Sequence, residues 1–454
     1  MNLEVVILAA GQGKRMKSRI PKVLHKVGGK PMLEHVVETV RELSPKKIHV
    51  VCSEVGEDDL RQLFADQDIN WVVQKKRLGT ADAVSQAVPY LSSKNQVLIL
   101  YGDVPLIRKD ILIELIESKP SEFALITAEL NDPYGFGRIV RNNNRQIMAI
   151  VEDKDCSRAQ REINEINTGI MAMPVKLLIE YLPMVKPNNA QKEYYLTDLV
   201  SLLVADGRPM HSVLTNDIYA IQGINDRAQL AELERYYQKR QAGFLMQQGL
   251  GLSDPNRFDL RGSLRFGRDC QCDCNIILEG EVKLGDNVSV GSNVVLRNVT
   301  IGNNVRVLAN TIIEDSVIGD DCVIGPFARI RPDSDIKNQA KIGNFVELKK
   351  TEVGKGSKVN HLSYIGDSII GENVNIGAGT ITCNYDGVNK NQTIVQDGAF
   401  VGSNCQLVAP VTIGKNATIA AGSTVTDDAP EGKLTIARSK QMTVERWQRP
   451  KKRK

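Results

Sequence analysis

Aromatic side chains are scarce in this chain: two Trp, nine Phe and eleven Tyr make up 5% of its 454 residues, against 42% apolar residues overall. Much of the core must therefore be small and aliphatic. No run approaches the roughly 18 consecutive apolar residues that a membrane-crossing helix needs, and no apolar stretch follows a basic start as in a secretory leader. Net charge is only +4, so nothing marks the surface as a whole for nucleic acid. Histidine is rarer still: of five, only His361 lies beyond His211. The eight cysteines are scattered. Cys270, Cys272 and Cys274 form C-x-C-x-C without a neighbouring His or second pair, a weak metal signal better read as reduced, structural thiols. What remains is the expectation of a cytoplasmic protein of two or three domains, with no membrane or nucleic-acid partner.

What is abundant is a period. Aliphatic residues recur about every six positions through Leu278, Leu284, Val290, Leu296, Ile301, Val307, Ile313, Ile318, Ile324, Ile330, Ile336, Ile342, Leu348, Val353, Val359, Ile365, Ile370 and Ile376, and again from Val395 to Val425. Neither a helix nor a two-period strand has that spacing; a triangular coil with one inward aliphatic residue per face does. The glycine that often follows, as in Ile342-Gly343, is expected to turn the corner at a backbone angle a Cβ resists. A parallel β-helix is predicted for residues 250–430, with the polar stretch 383–394 leaving it as a loop. Loops on a rigid stack commonly carry function.

The first half alternates instead. Glu4–Ala9 reads as a buried parallel strand, and Ile48–Val51, Trp71–Val73, Val97–Leu100 and Ala124–Thr127 as further strands between helical stretches, a doubly wound α/β sheet. Gly11-Gln12-Gly13-Lys14-Arg15-Met16 follows the first strand at once, a turn whose amides can approach phosphates. Met16 stands where a dinucleotide fingerprint needs a small residue, and Arg15 where a P-loop needs Ser or Thr, which excludes both. Asp103 sits at the carboxyl end of a strand, where such sheets bind ligands, and a carboxylate there suits Mg²⁺. A helix cap is an equally ordinary role for one such Asp. The domains are expected at 1–226, 227–249 (a helical linker separating two sites) and 250–454. The last of these ends in the cations Arg449, Lys451, Lys452, Arg453 and Lys454, read as a solvated tail, with help in holding a polyphosphate as the minor alternative.

Leu8-Ala9-Ala10-Gly11, Arg15-Met16, Pro21-Lys22, Leu78-Gly79-Thr80 and Gly102-Asp103 together resemble the sugar-1-phosphate nucleotidyltransferases. Tyr134–Arg138, Val151-Glu152, Glu165–Gly169, Glu193–Asp198 and Gly223-Ile224-Asn225 narrow the likeness. The Ile-Gly-x-x-x-x repeats resemble the hexapeptide acyltransferases, whose coil is left-handed. Along its whole length the chain is similar to the bacterial bifunctional N-acetylglucosamine-1-phosphate uridylyltransferases / glucosamine-1-phosphate acetyltransferases. It departs from them at Lys14, where Thr is usual, and at Ala81-Asp82, where Gly-His is common.

That resemblance implies a bifunctional enzyme of UDP-N-acetylglucosamine synthesis, supplying cell-wall precursor from glucosamine-1-phosphate, acetyl-CoA and UTP through N-acetylglucosamine-1-phosphate, with Mg²⁺ and as a homotrimer. It implies Asp103 and Asn225 as metal ligands and Arg15 and Lys22 as catalytic cations. Leu8, Ala9, Ala10, Gly11, Gln74, Gly79, Thr80, Tyr101, Gly102, Gly137, Glu152 and Asn167 would hold the UTP and UDP-sugar. His361 would be the general base of acetyl transfer, with Glu347 as second candidate. Arg331, Lys349, Tyr364 and Asn375 would hold the acceptor, and Ala378, Asn384, Tyr385, Ser403, Ala421 and Arg438 the acetyl-CoA. Read without the resemblance, a lone His is more often structural, and a single-activity nucleotidyltransferase carrying a regulatory or structural solenoid is the competing reading.

Overall fold

The computed structural model describes residues 2–450 and 452, so Lys451, Arg453 and Lys454 of the basic tail lie outside the described residues. The chain forms two compact units, Met1–Tyr237 and Gln238–Lys454.

In the first, the strand Leu3–Leu8 (LEVVIL) is buried along its whole length. A strand apolar on both faces belongs mid-sheet. It pairs in parallel with Lys47–Ser53 on one side and Gln96–Tyr101 on the other. Among the described residues the sheet runs Met210–Thr215, Phe123–Glu129, Glu165–Pro174, Gln96–Tyr101, Leu3–Leu8, Lys47–Ser53, Asn70–Gln74. All five expected strands lie within it but for Ala9, one residue past its strand. One feature differs from a purely parallel sheet: Glu165–Pro174 runs antiparallel to both its neighbours. Through Ile166 it also joins a hairpin, Arg138–Arg141 with Ile147–Val151. Helices cover both faces. Val36, Val37, Leu112 and Leu115 pack on one, and Val84, Leu178, Leu199 and Leu203 on the other.

The helix Arg227–Gln247 is shared between the units. Leu233 joins a small core with Met16, Met32, Leu106 and Ile224, while Ala242 and Leu245 join the core of the second unit. The buried Gln238 closes the first coil. Its Oε1 accepts from Leu260 N at 2.7 Å and its Nε2 donates to Leu260 O at 3.0 Å.

The second unit is a parallel β-helix, its strands running from Gly251–Leu252 to Leu434–Thr435. Coils advance 17 or 18 residues, except where the loop after Cys383 leaves the stack and Ile376 pairs with Val401. Val290, Val307, Ile324, Ile342, Val359, Ile376, Val401 and Ile419 form one unbroken inward column, none more than 3% exposed. Burying each such side chain is worth roughly 1.5–3 kcal/mol. The interior also takes Cys270 and Cys272, whose thiols burial pushes up, that of Cys272 to about 12.

Gly325, directly after Ile324, turns at a φ of 93° as expected, but most glycines that follow an inward aliphatic have a different task. The corner residues with positive φ are chiefly Asn and Asp two places on: Asn287 at 55°, Asn304 at 57°, Asp321 at 59° and Asn416 at 54°. Asn and Asp tolerate this conformation because their short polar side chains bond locally, and here they bond coil to coil: Asn287 Nδ2 donates to Asn304 Oδ1, and Asn304 Nδ2 to Asp321 Oδ1, each at 3.1 Å. The glycine before them serves close approach. A Cβ on Gly343 would lie 1.9 Å from Asn360 O, and one on Gly285 2.7 Å from Gly302 C. Gly343→Ala should therefore cost about 2–3 kcal/mol by overpacking, read from the denaturant midpoint. Asn304→Gly, which keeps the corner's freedom, should cost less than about 1 kcal/mol.

Candidate functional sites

The carboxyl ends of the parallel strands open into a cleft lined by Leu8, Ala9, Ala10, Gly11, Lys22, Gln74, Gly79, Thr80, Tyr101 and Asp103. Ten of the expected nucleotide residues thus meet in one place. The buried Lys22 is central to it: its Nζ is ion-paired with the Asp103 carboxylate and donates to Asn225 Oδ1 at 2.8 Å. Asn225 and the exposed Arg15 line an adjoining pocket with Tyr134 and Gly223. Gly102 lies behind the cleft floor, its N donating to Leu8 O at 2.9 Å, and a Cβ there would meet Leu33 at 3.1 Å and Val23 at 3.3 Å.

Gly79 begins the helix Thr80–Ala87 at φ 125°, and a Cβ there would stand 2.3 Å from Tyr194 O. The segments are knitted together: Tyr194 N donates to Leu78 O at 2.7 Å, Ala81 N to Tyr194 O at 2.9 Å, and Leu196 N to Thr80 Oγ1 at 2.9 Å. The remaining residues expected to hold sugar also meet. Asn167 N donates to Gly137 O at 2.8 Å, and a Cβ on Gly137 would lie 3.5 Å from both oxygens of Glu152. Burial pushes the Glu152 carboxyl up from its ordinary range, partly opposed by the hydrogen bond from Thr197. Burial, then the charges of Glu152 and Asp103, push the Tyr101 hydroxyl up too.

In the β-helix, His361 is exposed at the end of the strand Lys358–His361. Its Nδ1 lies 3.0 Å from Asn344 Oδ1. An amide oxygen only accepts, so with Asn344 Oδ1 facing the ring the neutral tautomer has its proton on Nδ1 and its lone pair on Nε2. Glu347 is engaged elsewhere: its Oε1 accepts from Arg331 Nη1 at 2.9 Å. Asn344, His361, Ala378, Ser403 and Ala421 each stand two places after the inward column Ile342, Val359, Ile376, Val401, Ile419. They therefore form a continuous outer column. Arg438 Nη1 donates to Ala421 O at 2.8 Å at its end.

On the next face a charged column alternates in sign. Arg261 bonds Glu279 at 3.0 Å, Glu279 bonds Arg297 at 2.6 Å, and Arg297 bonds Glu314. The alternation then fails. Arg331 and Lys349 follow the paired Ile330 and Leu348, so cation stacks on cation. The Lys349 ammonium also holds Lys390 below the usual lysine range. Asn384 donates to Asp367, which lies 4.0 Å from Lys349. Tyr364 begins the strand that pairs with Glu347, Tyr385 is exposed in the loop, and Asn375 pairs with Lys358, the first residue of the strand that ends in His361. Glu347 offsets Arg331 and Asp367 offsets Lys349, yet three cations so close together remain suited to holding an anion.

Comparison with known proteins agrees with this division. A MobA-like NTP transferase domain model matches residues 5–166. Bacterial transferase hexapeptide (six repeats) models match 298–331, 315–350 and 392–427, and a hexapeptide repeat of succinyl-transferase matches 281–314. The chain is 51% identical over 451 residues to the bifunctional protein GlmU of Marinobacter nauticus, spanning 99% of each. It is 52% identical to that of Ruthia magnifica, again over 99% of each. Against that of Saccharophagus degradans identity is 52%, over 99% of this chain and all of the relative. This chain belongs to the bifunctional GlmU family. Like that family it is both a uridylyltransferase and a glucosamine-1-phosphate acetyltransferase.

Three residues of this GlmU-family chain escaped the sequence reading. Arg77, lining the cleft, donates to Ala10 O at 2.9 Å; its signal was a cation directly before Leu78-Gly79-Thr80. Asn344 lies one coil before His361, and Lys390 lies within the flagged loop. Gly79→Ala should push the Tyr194 segment out of place and lower uridylyl transfer about a hundredfold, the scale of an ångström's misplacement, measured as pyrophosphate release.

Proposed function

We propose that acetyl transfer runs at the His361 column and uridylyl transfer at the Lys22–Asp103 cleft, the first product feeding the second reaction. The observation that carries the acetylating half is the free Nε2 of His361, exposed at the head of a column ending in Arg438. Nε2 takes a proton from the amine of glucosamine-1-phosphate as the nitrogen attacks the acetyl-CoA carbonyl; the C–S bond breaks and the CoA sulfur leaves to be protonated. Arg331, Lys349 and Lys390 hold the sugar phosphate, with Tyr364 and Asn375 on the sugar. Ala378, Asn384, Tyr385, Ser403, Ala421 and Arg438 line the acetyl-CoA.

In the cleft, the phosphate oxygen of N-acetylglucosamine-1-phosphate attacks the α-phosphorus of UTP and pyrophosphate departs. Gln74, Gly79 and Thr80 meet the uracil, Gly137, Glu152 and Asn167 the sugar, and amides from Gly11 onward the phosphates. Arg15 and Lys22 offset charge growing on the departing group. Asp103 and Asn225 already hold a cation between them, the Lys22 ammonium, and their hard oxygens suit Mg²⁺. When bound, Mg²⁺ would neutralise and align the phosphates.

The chain works as a homotrimer in this reading. Phe327, Phe345 and Leu362 occupy positive-φ corners in successive coils, at 55°, 57° and 50°, where Asn and Asp serve elsewhere. They are 49, 55 and 62% exposed, and the two rings stack at 5.2 Å. Bulky apolar residues held both strained and exposed suit an interface, and a second copy seated there would border His361. The protein works in the cytoplasm, a reading that its eight free cysteines support; among the described residues no helix is long and apolar enough to cross a membrane.

His361→Ala should lower free-thiol release from acetyl-CoA by about 10²–10⁴ and leave pyrophosphate release from UTP intact; Asp103→Ala should do the reverse. Loss of both activities in either variant sinks the separate assignment, thiol release undiminished in His361→Ala overturns its role as base, and no thiol release from the unaltered protein favours the single-activity alternative. Phe345→Asp should convert the trimer to monomer in sedimentation velocity, and an unchanged mass would contradict the interface.

A further inference from the structure

Gln74 ends the strand Asn70–Gln74 with its side chain buried in the wall of the cleft. An amide can be turned over with almost no change of shape, so its neighbours decide which end faces the ligand. Gln74 Nε2 lies 2.7 Å from Asp82 Oδ2 and 3.3 Å from Gly79 O. Both partners can only accept. Turning the amide would set oxygen against two oxygens. With both N–H groups spent, Oε1 is the side chain's remaining polar atom, and it is an acceptor only.

Asp82 itself does not line the cleft. It sits in the first turn of the helix Thr80–Ala87, where the helix dipole favours an ionised carboxylate. The side chain of Gln86 ties that turn down, donating to Asp82 O at 3.3 Å.

We propose that Asp82 is a positioning residue that orients the Gln74 amide, and thereby selects pyrimidine nucleotides whose base carries an N–H at ring position 3. The inference rests on the assignment of Gln74 to the base. Uracil and thymine present that N–H to Oε1. Cytosine presents a bare lone pair there, leaving two acceptors face to face. The device therefore rejects CTP and is blind to the difference between UTP and TTP.

The test is kcat/KM for pyrophosphate release with UTP, TTP and CTP. Asp82→Ala should lower the UTP:CTP ratio at least about fivefold, the low end for one unpaired polar group. The change should fall on KM, with UTP and TTP declining together. Asp82→Asn keeps an acceptor oxygen and should keep most of the ratio. Gln74→Glu combined with Asp82→Asn gives the base a side chain without donors and should still prefer UTP, which covers the case of a poorly folded alanine variant. An unchanged ratio in Asp82→Ala beside a lowered one in Gln74→Leu overturns the positioning role alone. An unchanged ratio in both overturns the base-reading assignment and this inference with it. Loss of UTP preference in the double variant likewise refutes the orientation argument.

Discussion

Parallel, in-register stacking of coils is the constraint on which the second unit depends. Every residue lies over a counterpart one coil away, so whatever a position holds it must tolerate beside its own kind. Aliphatic residues meet this by burying one another, and Asn by passing amide hydrogen bonds up the column. Charged residues meet it by alternating, as Arg261, Glu279, Arg297 and Glu314 do. Where Lys349 follows Arg331 the alternation fails, and carboxylates from other positions, Glu347 and Asp367, take its place; this is the feature on which the proposed anion site rests.

The first unit solves a different problem with the same economy of backbone. Its central parallel strands end at one edge, bringing Leu8, Gln74 and Tyr101 to a common rim. The antiparallel strand Glu165–Pro174 then carries Asn167 and the hairpin bearing Val151 toward Tyr101. A wholly parallel sheet would need a long crossover to bring those residues in. Gly79 and Gly137 keep the rim open because side chains there would strike Tyr194 or Ile150.

Periodicity made the β-helix legible, since an inward residue every sixth position is a signal local sequence carries in full. The strands Leu3–Leu8 and Gln96–Tyr101 were legible for a similar reason: fully buried strands are unbroken apolar runs. The reversed direction of Glu165–Pro174 was not, because an apolar run looks alike read either way. The glycine corners were located correctly but mostly given the wrong cause; Asn360 O lies so near Gly343 that a Cβ there would stand 1.9 Å from it, a contact between coils invisible along the chain. Asn344 beside His361 follows once the coil length is known, and Glu347 drew attention only by its chemistry. Asp82 stood out in sequence solely as a departure from Gly-His; its grip on Gln74 depends on a strand and a helix meeting.

The coil length has a consequence for how this chain can change. A single residue is absorbed within a coil, as the coexistence of 17- and 18-residue coils and the register shift after Glu279 show, whereas a longer insertion must be shed as a bulge, as the segment after Cys383 is. The remaining freedom comes in whole rungs of 17 or 18 residues. Growth or shortening of the solenoid is therefore quantised: a rung gained lengthens the outer groove by one strand spacing of about 4.8 Å and leaves the coils before it unaltered.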